Sequence, residues 1–357
     1  MSTIVALDIG SSAVAGVEMK LTRDRVMLTR AAVEPIPAGL VHDGEIVQPD
    51  ALAAELKRVW RAAGFSGRRV RVGVANQRVV LRLMELPALD HPKELRAAVE
   101  FEAAEKLPIP TDQAVVDFQP VMRFDDEDGT RDRVVVVAAH RAMVDDRVAV
   151  LRSAGLRPVG LDLEAFALLR ALLPPPSVVD EGSRDLPAQV VVHVGAEVTN
   201  VIVAVEQKCL FTRLVGFGGG NLTKAVSDRT GLPIPEAEAV KVACGLLGEP
   251  LEGWDPDTVA EVRHALALAC RPLVREVSRS IDYFRDQPFA RPIDRIVLAG
   301  GTSLCAGLDR YMRQATGVPV EIGNPMRHVD GGIPVERDVA ARAAVAVGLA
   351  LDEGSGR

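Results

Sequence analysis

Two hydrophobic periods alternate along this chain, and one strand-turn-strand phrase occurs twice. Residues 5–10 read VALDIG and pass through SSAV into the apolar run AGVEM; residues 190–195 read VVVHVG and pass through AEVT into NVIVAVE. Each copy is an apolar strand with a polar residue near its end, a glycine, a few small or polar residues, and a second strand. That pattern predicts a β-hairpin built twice. Helical spacing follows over residues 51–63, with Leu52, Leu56, Val59, Trp60 and Ala63 on one face and Gly64 placed to end it. After the strand patterns RVRVGVA and RVVLRLMEL comes a helix behind Asp90 and Pro92, with Leu95, Val99 and Ala103 in register and Pro108 and Pro110 as a stop. Strands around VVDFQPV and RVVVVAAH flank an acidic tip, DDEDG. RPVGLDLEAFALLRALL predicts a strand and then a helix, closed by the prolines at 174–176.

The polar run from Ser183 to Pro187 is the predicted crossing between two lobes, because the hairpin phrase restarts directly after it. A long helical pattern from Asp257 to Phe284 contains Pro272, which predicts a kink or break. DRIVLAGGT at 294–302 is a strand running into Gly300 and Gly301, followed by helical spacing of Leu304, Leu308, Tyr311 and Met312; an alanine-rich helix follows Asp338. The predicted division is residues 1–86 with 156–186 as a first lobe, and 87–155 as an inserted module. A second lobe takes 187–221 with 293–357, and 222–292 forms its mostly helical insert.

A tight glycine turn points backbone N–H groups at one spot and lets an anion approach the main chain. Two facing copies make a phosphate clamp. The strand, glycine pair and helix start at 294–308 add a further place where backbone can pack against a nucleotide.

Composition narrows the setting. A chain of 357 residues suits two or more domains, and 48 % hydrophobic content is ample for their cores. No apolar run approaches the roughly 20 residues that span a bilayer, and the start of the chain shows no signal-peptide pattern. A net charge of −7 does not suggest nonspecific nucleic-acid binding. Cys209, Cys244, Cys270 and Cys305 are far apart, without CxxC pairs, and are read as free packed thiols; the six histidines are scattered as well.

The ordered motifs resemble the actin-like ATPase superfamily, and within it the PilM family of type IV pilus assembly, related to the division protein FtsA. DIGSSAVAGVEM looks like the first phosphate motif, VVHVGAEVTNVIV the second, GFGGGNLTKAV with EAEAVK the adenosine-side connection, and IVLAGGTSLCAGL the adenosine motif. LVHDGEIVQPDAL at 40–52, ELPALDHPKELRAAVEFEAAEKLPIP at 85–110 and AGLRPVGLDLEAFALLRAL at 154–172 are particular to the PilM group. The resemblance implies an α/β, actin-like ATPase fold, with two lobes each holding a duplicated mixed-sheet domain, plus an inserted FtsA/PilM-type α+β module. It implies ATP or ADP with Mg²⁺ as ligands. Asp8 would orient water on Mg²⁺, and Gly10, Ser11, Ser12 and Ala13 would face the phosphates. Gly195, Ala196 and Thr199 would form the opposing jaw. Gly219, Gly220, Glu238 and Lys241 would border ribose and adenine, with Gly300, Gly301 and Thr302 closing over the base. The implied partner is the N-terminal segment of a PilN-like membrane protein, received by a groove between the inserted module and the first lobe. Other pilus platform and motor proteins are further implied partners. That places the chain in the cytoplasm, held at the inner membrane through its partner.

Two departures bear on catalysis. Ala15 stands where the family usually carries lysine, and His193 where the second phosphate motif opens with aspartate. A largely neutral imidazole lacks the negative charge of a carboxylate, so weak or absent hydrolysis is expected. His193 is read either as a modified catalytic group or as a tolerated polar residue at a strand end. The ending LALDEGSGR lacks the basic and bulky apolar faces of an FtsA-type membrane helix. Three alternatives remain: a filament-forming FtsA/MreB-like cytomotive ATPase, an interaction module without nucleotide, and a phosphotransferase such as a sugar kinase. For the last no substrate aspartate motif is found.

Overall fold

In the computed structural model the described residues are 2–22, 25–127, 129–175, 186–248 and 251–352, so most of the predicted crossing at 183–187 and the end of the C-terminal tail lie outside them. The first hairpin is β1 (Ser2–Ile9) and β2 (Ala13–Leu21), extended by β3 (Val26–Pro35). A small hairpin of β4 (Val41–His42) and β5 (Glu45–Ile46) leads into α1 (Pro49–Ala63). Pro49 and Asp50 suit its first turn, and Gly64 at φ 66° ends it in the left-handed conformation that glycine adopts without strain. β6 (Arg69–Val74) returns parallel to β1.

The chain then leaves this sheet. β7 (Val79–Pro87), α2 (Pro92–Lys106), β8 (Ala114–Asp126) and β9 (Gly129–His140) form a three-stranded antiparallel sheet with α2 against it. Its core joins Met84, Leu86, Leu95, Val99 and Val134. α3 (Arg141–Ser153) leads back, placing Val150 and Leu151 in one core with Leu52, Leu56 and Trp60 of α1. β10 (Arg157–Leu163) and α4 (Glu164–Leu172) complete the first half.

The second half repeats the first. β11 (Ala188–Val194), β12 (Thr199–Val205) and β13 (Lys208–Val215) form an antiparallel set, followed by α5 (Gly219–Thr230), α6 (Ile234–Cys244) and α7 (Pro256–Arg285). β14 (Ile293–Ala299) lies parallel to β11; α8 (Leu308–Thr316), β15 (Val320–Ile322), β16 (Gly331–Gly332), α9 (Arg337–Arg342) and α10 (Ala344–Ala350) follow. The sheet orders are β10-β6-β1-β2-β3 with β16 at its edge, and β15-β14-β11-β12-β13, so the two sheets share one topology. α7 continues through Pro272 as one helix, so of the predicted kink or break the break does not occur. Proline removes one helical bond, and the residue four before it, Leu268, is on the exposed side.

α4 and α10 lie between the sheets. Their alanines and leucines share one core with Ala6 and Met19 of the first sheet and with Val191 and Val297 of the second. Gly348 allows that closeness: a Cβ there would sit 1.7 Å from the carbonyl oxygen of Ala167.

Candidate functional site

The repeated hairpins end in matching turns. Gly10 N–H donates to the carbonyl of Ala13 and Gly195 N–H to that of Val198, each at 3.0 Å. Registers match as well: Asp8 lies opposite Ala15, and His193 opposite Asn200. Asp8 and His193 thus hold equivalent places beside the two turns. Ser11 and Ala13 are half-buried and Ser12 is exposed at the first turn; Gly195 and Ala196 are half-buried at the second.

Between the hairpins lies a charged cluster that connects the lobes. Glu164, the first residue of α4, accepts a hydrogen bond from Asn200 Nδ2 at 3.1 Å. Asp8 is held up at about 6 by burial, with Arg147 pulling it down. Glu164 is pushed up to about 8 by burial and then by the charge of Asp8, while Arg147 and the Asn200 bond act against this. Arg147 comes from α3 and is buried. Its guanidinium donates to the carbonyls of Gly73 at 3.3 Å and Gly44 at 2.7 Å, and its Nε has no hydrogen-bond partner. Two carboxylates thus share one guanidinium, and burial favours their protonated forms. A hard divalent cation between them would favour both charged forms, so these residues fit Mg²⁺.

His193 is buried, and burial lowers it to about 4, so the ring is neutral at pH 7. Its Nδ1 has no hydrogen-bond partner. Opposite residues in an antiparallel pair face the same side of the sheet, so His193 shares the side of Asn200 and hence of Glu164.

The residues expected to border the nucleoside gather at or behind the second turn, though several of their polar groups are already committed. Gly219 N–H donates to Gly195 O and Gly220 N–H to Ala196 O, both at 2.8 Å, docking the start of α5 onto the turn. Glycine is required there, since a Cβ on Gly218 would lie 2.4 Å from Ala196 backbone. Thr302 Oγ1 donates to Gly195 O at 3.3 Å, while Gly300, at φ 87°, packs against Val194. Gly301 lies beside the Arg342 side chain. Thr199 is buried, its hydroxyl donating to Phe217 O at 2.7 Å, so it shapes the turn from behind. Lys241 is also buried, reaching Glu238 at 2.6 Å and Thr223 at 3.0 Å. The Lys241 bond, despite burial, holds the Glu238 carboxyl below its usual range. This pair fastens α6 to α5.

The sequence singled out Asp8 and the glycine turns but not Glu164, Arg147 and Asn200, which the structure brings into one buried cluster with Asp8. Only the DLE phrase before an apolar helix marked Glu164, and a first-turn acid is ordinary helix chemistry. Arg147 carried no motif at all.

A family model described as "Type IV pilus assembly protein PilM" matches residues 6–353. A solved PilM–PilN type IV pilus biogenesis complex contains a chain 29% identical to this one, with a TM-score of 0.78, covering 98% of this chain and 97% of that one. Cell division protein FtsA of Neisseria meningitidis serogroup B is 24% identical over 97% of this chain and 89% of its own length. MreB5 of Spiroplasma citri bound to ADP is similar in fold, with a TM-score of 0.53 at 14% identity, covering 99% of this chain and 96% of that one.

Proposed function

Because this chain belongs to the PilM family of type IV pilus assembly proteins, we propose that it is a cytoplasmic, nucleotide-binding scaffold that binds the N-terminal segment of a PilN-like inner-membrane protein and hydrolyses ATP slowly or not at all. The observation that carries the nucleotide reading is the pair of matched glycine turns with Asp8, Glu164 and Arg147 between them. The turn at 10–13 and the turn at 195–196 would hold phosphates, and the Gly218–Gly220 and Gly300–Thr302 segments would border the nucleoside. Asp8 would hold Mg²⁺, which when bound would supply positive charge against the phosphate oxygens. Glu164, once ionised, would accept a proton from an attacking water. Neutral His193 adds no charge to this arrangement, which supports slow turnover.

For the partner, a hollow of about 40 Å³ lies between the β4–β5 hairpin and α3, lined by Glu45, Ile46, Arg78, Met143, Asp146 and Arg147. It has room for one small side chain of an extended peptide, and its rim offers both acids, Glu45 and Asp146, and bases, Arg78 and Arg147, with Arg78 3.9 Å from Glu45. Membrane association would run through that peptide; among the described residues no helix is long and apolar enough to cross a membrane.

Calorimetry with ATP and ADP tests the cradle. A Cβ on Gly10 would lie 3.2 Å from Ala13 O, and Gly10→Val adds branches where phosphate must approach. Unchanged affinity in a folded Gly10→Val protein would sink the cradle. Titration with the PilN-like N-terminal peptide, against a double variant Glu45→Lys and Asp146→Lys, tests the hollow. The similarity to FtsA along nearly the whole chain favours a second reading, an ATP-dependent filament, which sedimentation with and without ATP separates from a monomer or small oligomer.

A further inference from the structure

The mouth of the cleft is crossed by a cluster that neither nucleotide nor partner peptide accounts for. His42 and Asp43 sit on the β4–β5 turn of the first lobe, and Glu197 sits in the second phosphate turn, between Ala196 and Val198. His42 Nδ1 is 3.2 Å from a Glu197 carboxylate oxygen, and its Nε2 is 3.7 Å from Asp43. The same Glu197 oxygen accepts from Asp43 N–H at 3.0 Å. One ligand atom from each of the three side chains falls within 4.8 Å of the others.

We propose that His42, Asp43 and Glu197 form a divalent transition-metal site, of the zinc or cobalt class, that staples the two lobes across the nucleotide cleft. One imidazole and two carboxylates are a donor set for borderline cations rather than for magnesium, which prefers oxygen alone. Metal-to-ligand distances of about 2.0–2.2 Å require the three atoms to close in from their present spacing. They are free to do so, since the side chains are 68%, 45% and 37% exposed. Backbone holds each end in place. The Asp43 N–H bond fixes Glu197 toward the turn, and Gly44 O is gripped by Arg147. Gly44 itself is wedged in, at φ 76°, where a Cβ would meet Ala75 O at 1.9 Å. A metal here joins the Arg147-anchored turn to the opposing phosphate turn, and so slows cleft opening. The slowing of nucleotide release rests on the nucleotide reading; the metal site does not.

The test uses the full chain, stripped with chelator and free of nucleotide. Titration with Co²⁺ should give one equivalent bound with the visible absorption of a low-coordinate ion, displaced by Zn²⁺. His42→Ala and Glu197→Gln should each weaken that binding at least tenfold, and His42→Gln, which keeps bulk and polarity, should do the same. No bound equivalent in wild type, or equal binding in all three variants, overturns the site. Release of a fluorescent ADP analogue is then followed with and without Zn²⁺. Slower release in wild type but not in His42→Ala supports the staple. Zn²⁺-independent release from a protein that binds both metal and nucleotide overturns it, and leaves the nucleotide reading intact.

Discussion

At Glu164, burial and a neighbouring carboxylate both favour the proton, and this makes stability depend on pH in a definite direction. The folded protein keeps that proton up to about 8, while the unfolded chain releases it near 4.5. The folded state therefore holds more protons between those values, and stability falls as pH rises through them. His193 acts in the opposite sense, but only between about 4 and 6.5, and Asp8, half titrated at about 6, adds a small remainder above 6.5 in the same sense as Glu164. From pH 6.5 to 8 Glu164 dominates. Urea unfolding without nucleotide or divalent cation should show a loss of about 1–2 kcal/mol across that window, because a one-proton difference between the two states is worth about 1.4 kcal/mol for each pH step of one. Glu164→Gln should flatten the loss; a slope that persists in the variant would remove Glu164 as its origin. His193→Asp tests the other side of the site. It places a carboxylate on the side of Asn200 and Glu164 and should raise phosphate release tenfold or more in the presence of Mg²⁺, against the roughly 10² to 10⁴ that a positioned acid or base supplies. Brisk wild-type turnover that survives His193→Ala would show that the limitation lies elsewhere. Asp8 was legible because its turn repeats at 190–195. Glu164 was not, because its role comes from being brought under that turn by a strand and a helix start distant in sequence.

Elements were legible where periodicity and punctuation agreed, as in α1 between Pro49 and Gly64. The alanine-rich end of the chain was read only as a helix, since a run so rich in alanine defines no clear face. Its place became visible in packing: α10 lies on α4 with Gly348 at the crossing. Gly348→Ala should therefore force apart the two helices between the sheets, and overpacking of this kind costs typically about 1–3 kcal/mol. Gly331→Ala is the matched control, because a Cβ there meets nothing within 4 Å. Equal unfolding midpoints for the two variants would mean that the α4–α10 contact yields without strain. Pro272 is a second case, in which tertiary packing carries a helix past a residue that favours ending it. α7 buries Val262, Leu266, Cys270, Leu273 and Val277 along one face on both sides of the proline, and that continuous seam holds the helix through it.

Across the whole molecule, the inserted sheet touches both halves. It is entered from β6 and left through α3 of the first half, while its Val121 and Val135 belong to the core of the second. Arg133 lies 4.7 Å from the ring centre of Phe124 in its own sheet and 4.8 Å from that of Phe289, just after α7. Glu85 holds the guanidinium at 2.5 Å. On the proposed function, a peptide seated beside α3, which continues directly from β9, meets a body whose position the second half also helps to set, and a nucleotide held between the halves would draw the second toward the first. The two ligands should be coupled. Peptide affinity measured by calorimetry should differ at least fivefold with and without saturating nucleotide, within the usual range for coupled sites. Phe289→Ala should reduce that difference toward unity while leaving the affinity for nucleotide alone unchanged, because Phe289 lies outside the cleft. By reciprocity the peptide must alter nucleotide affinity by the same factor, so the two titrations check each other. Equal peptide affinities with and without nucleotide would mean that the inserted sheet rides on the first half alone and that its Arg133 contact carries no signal.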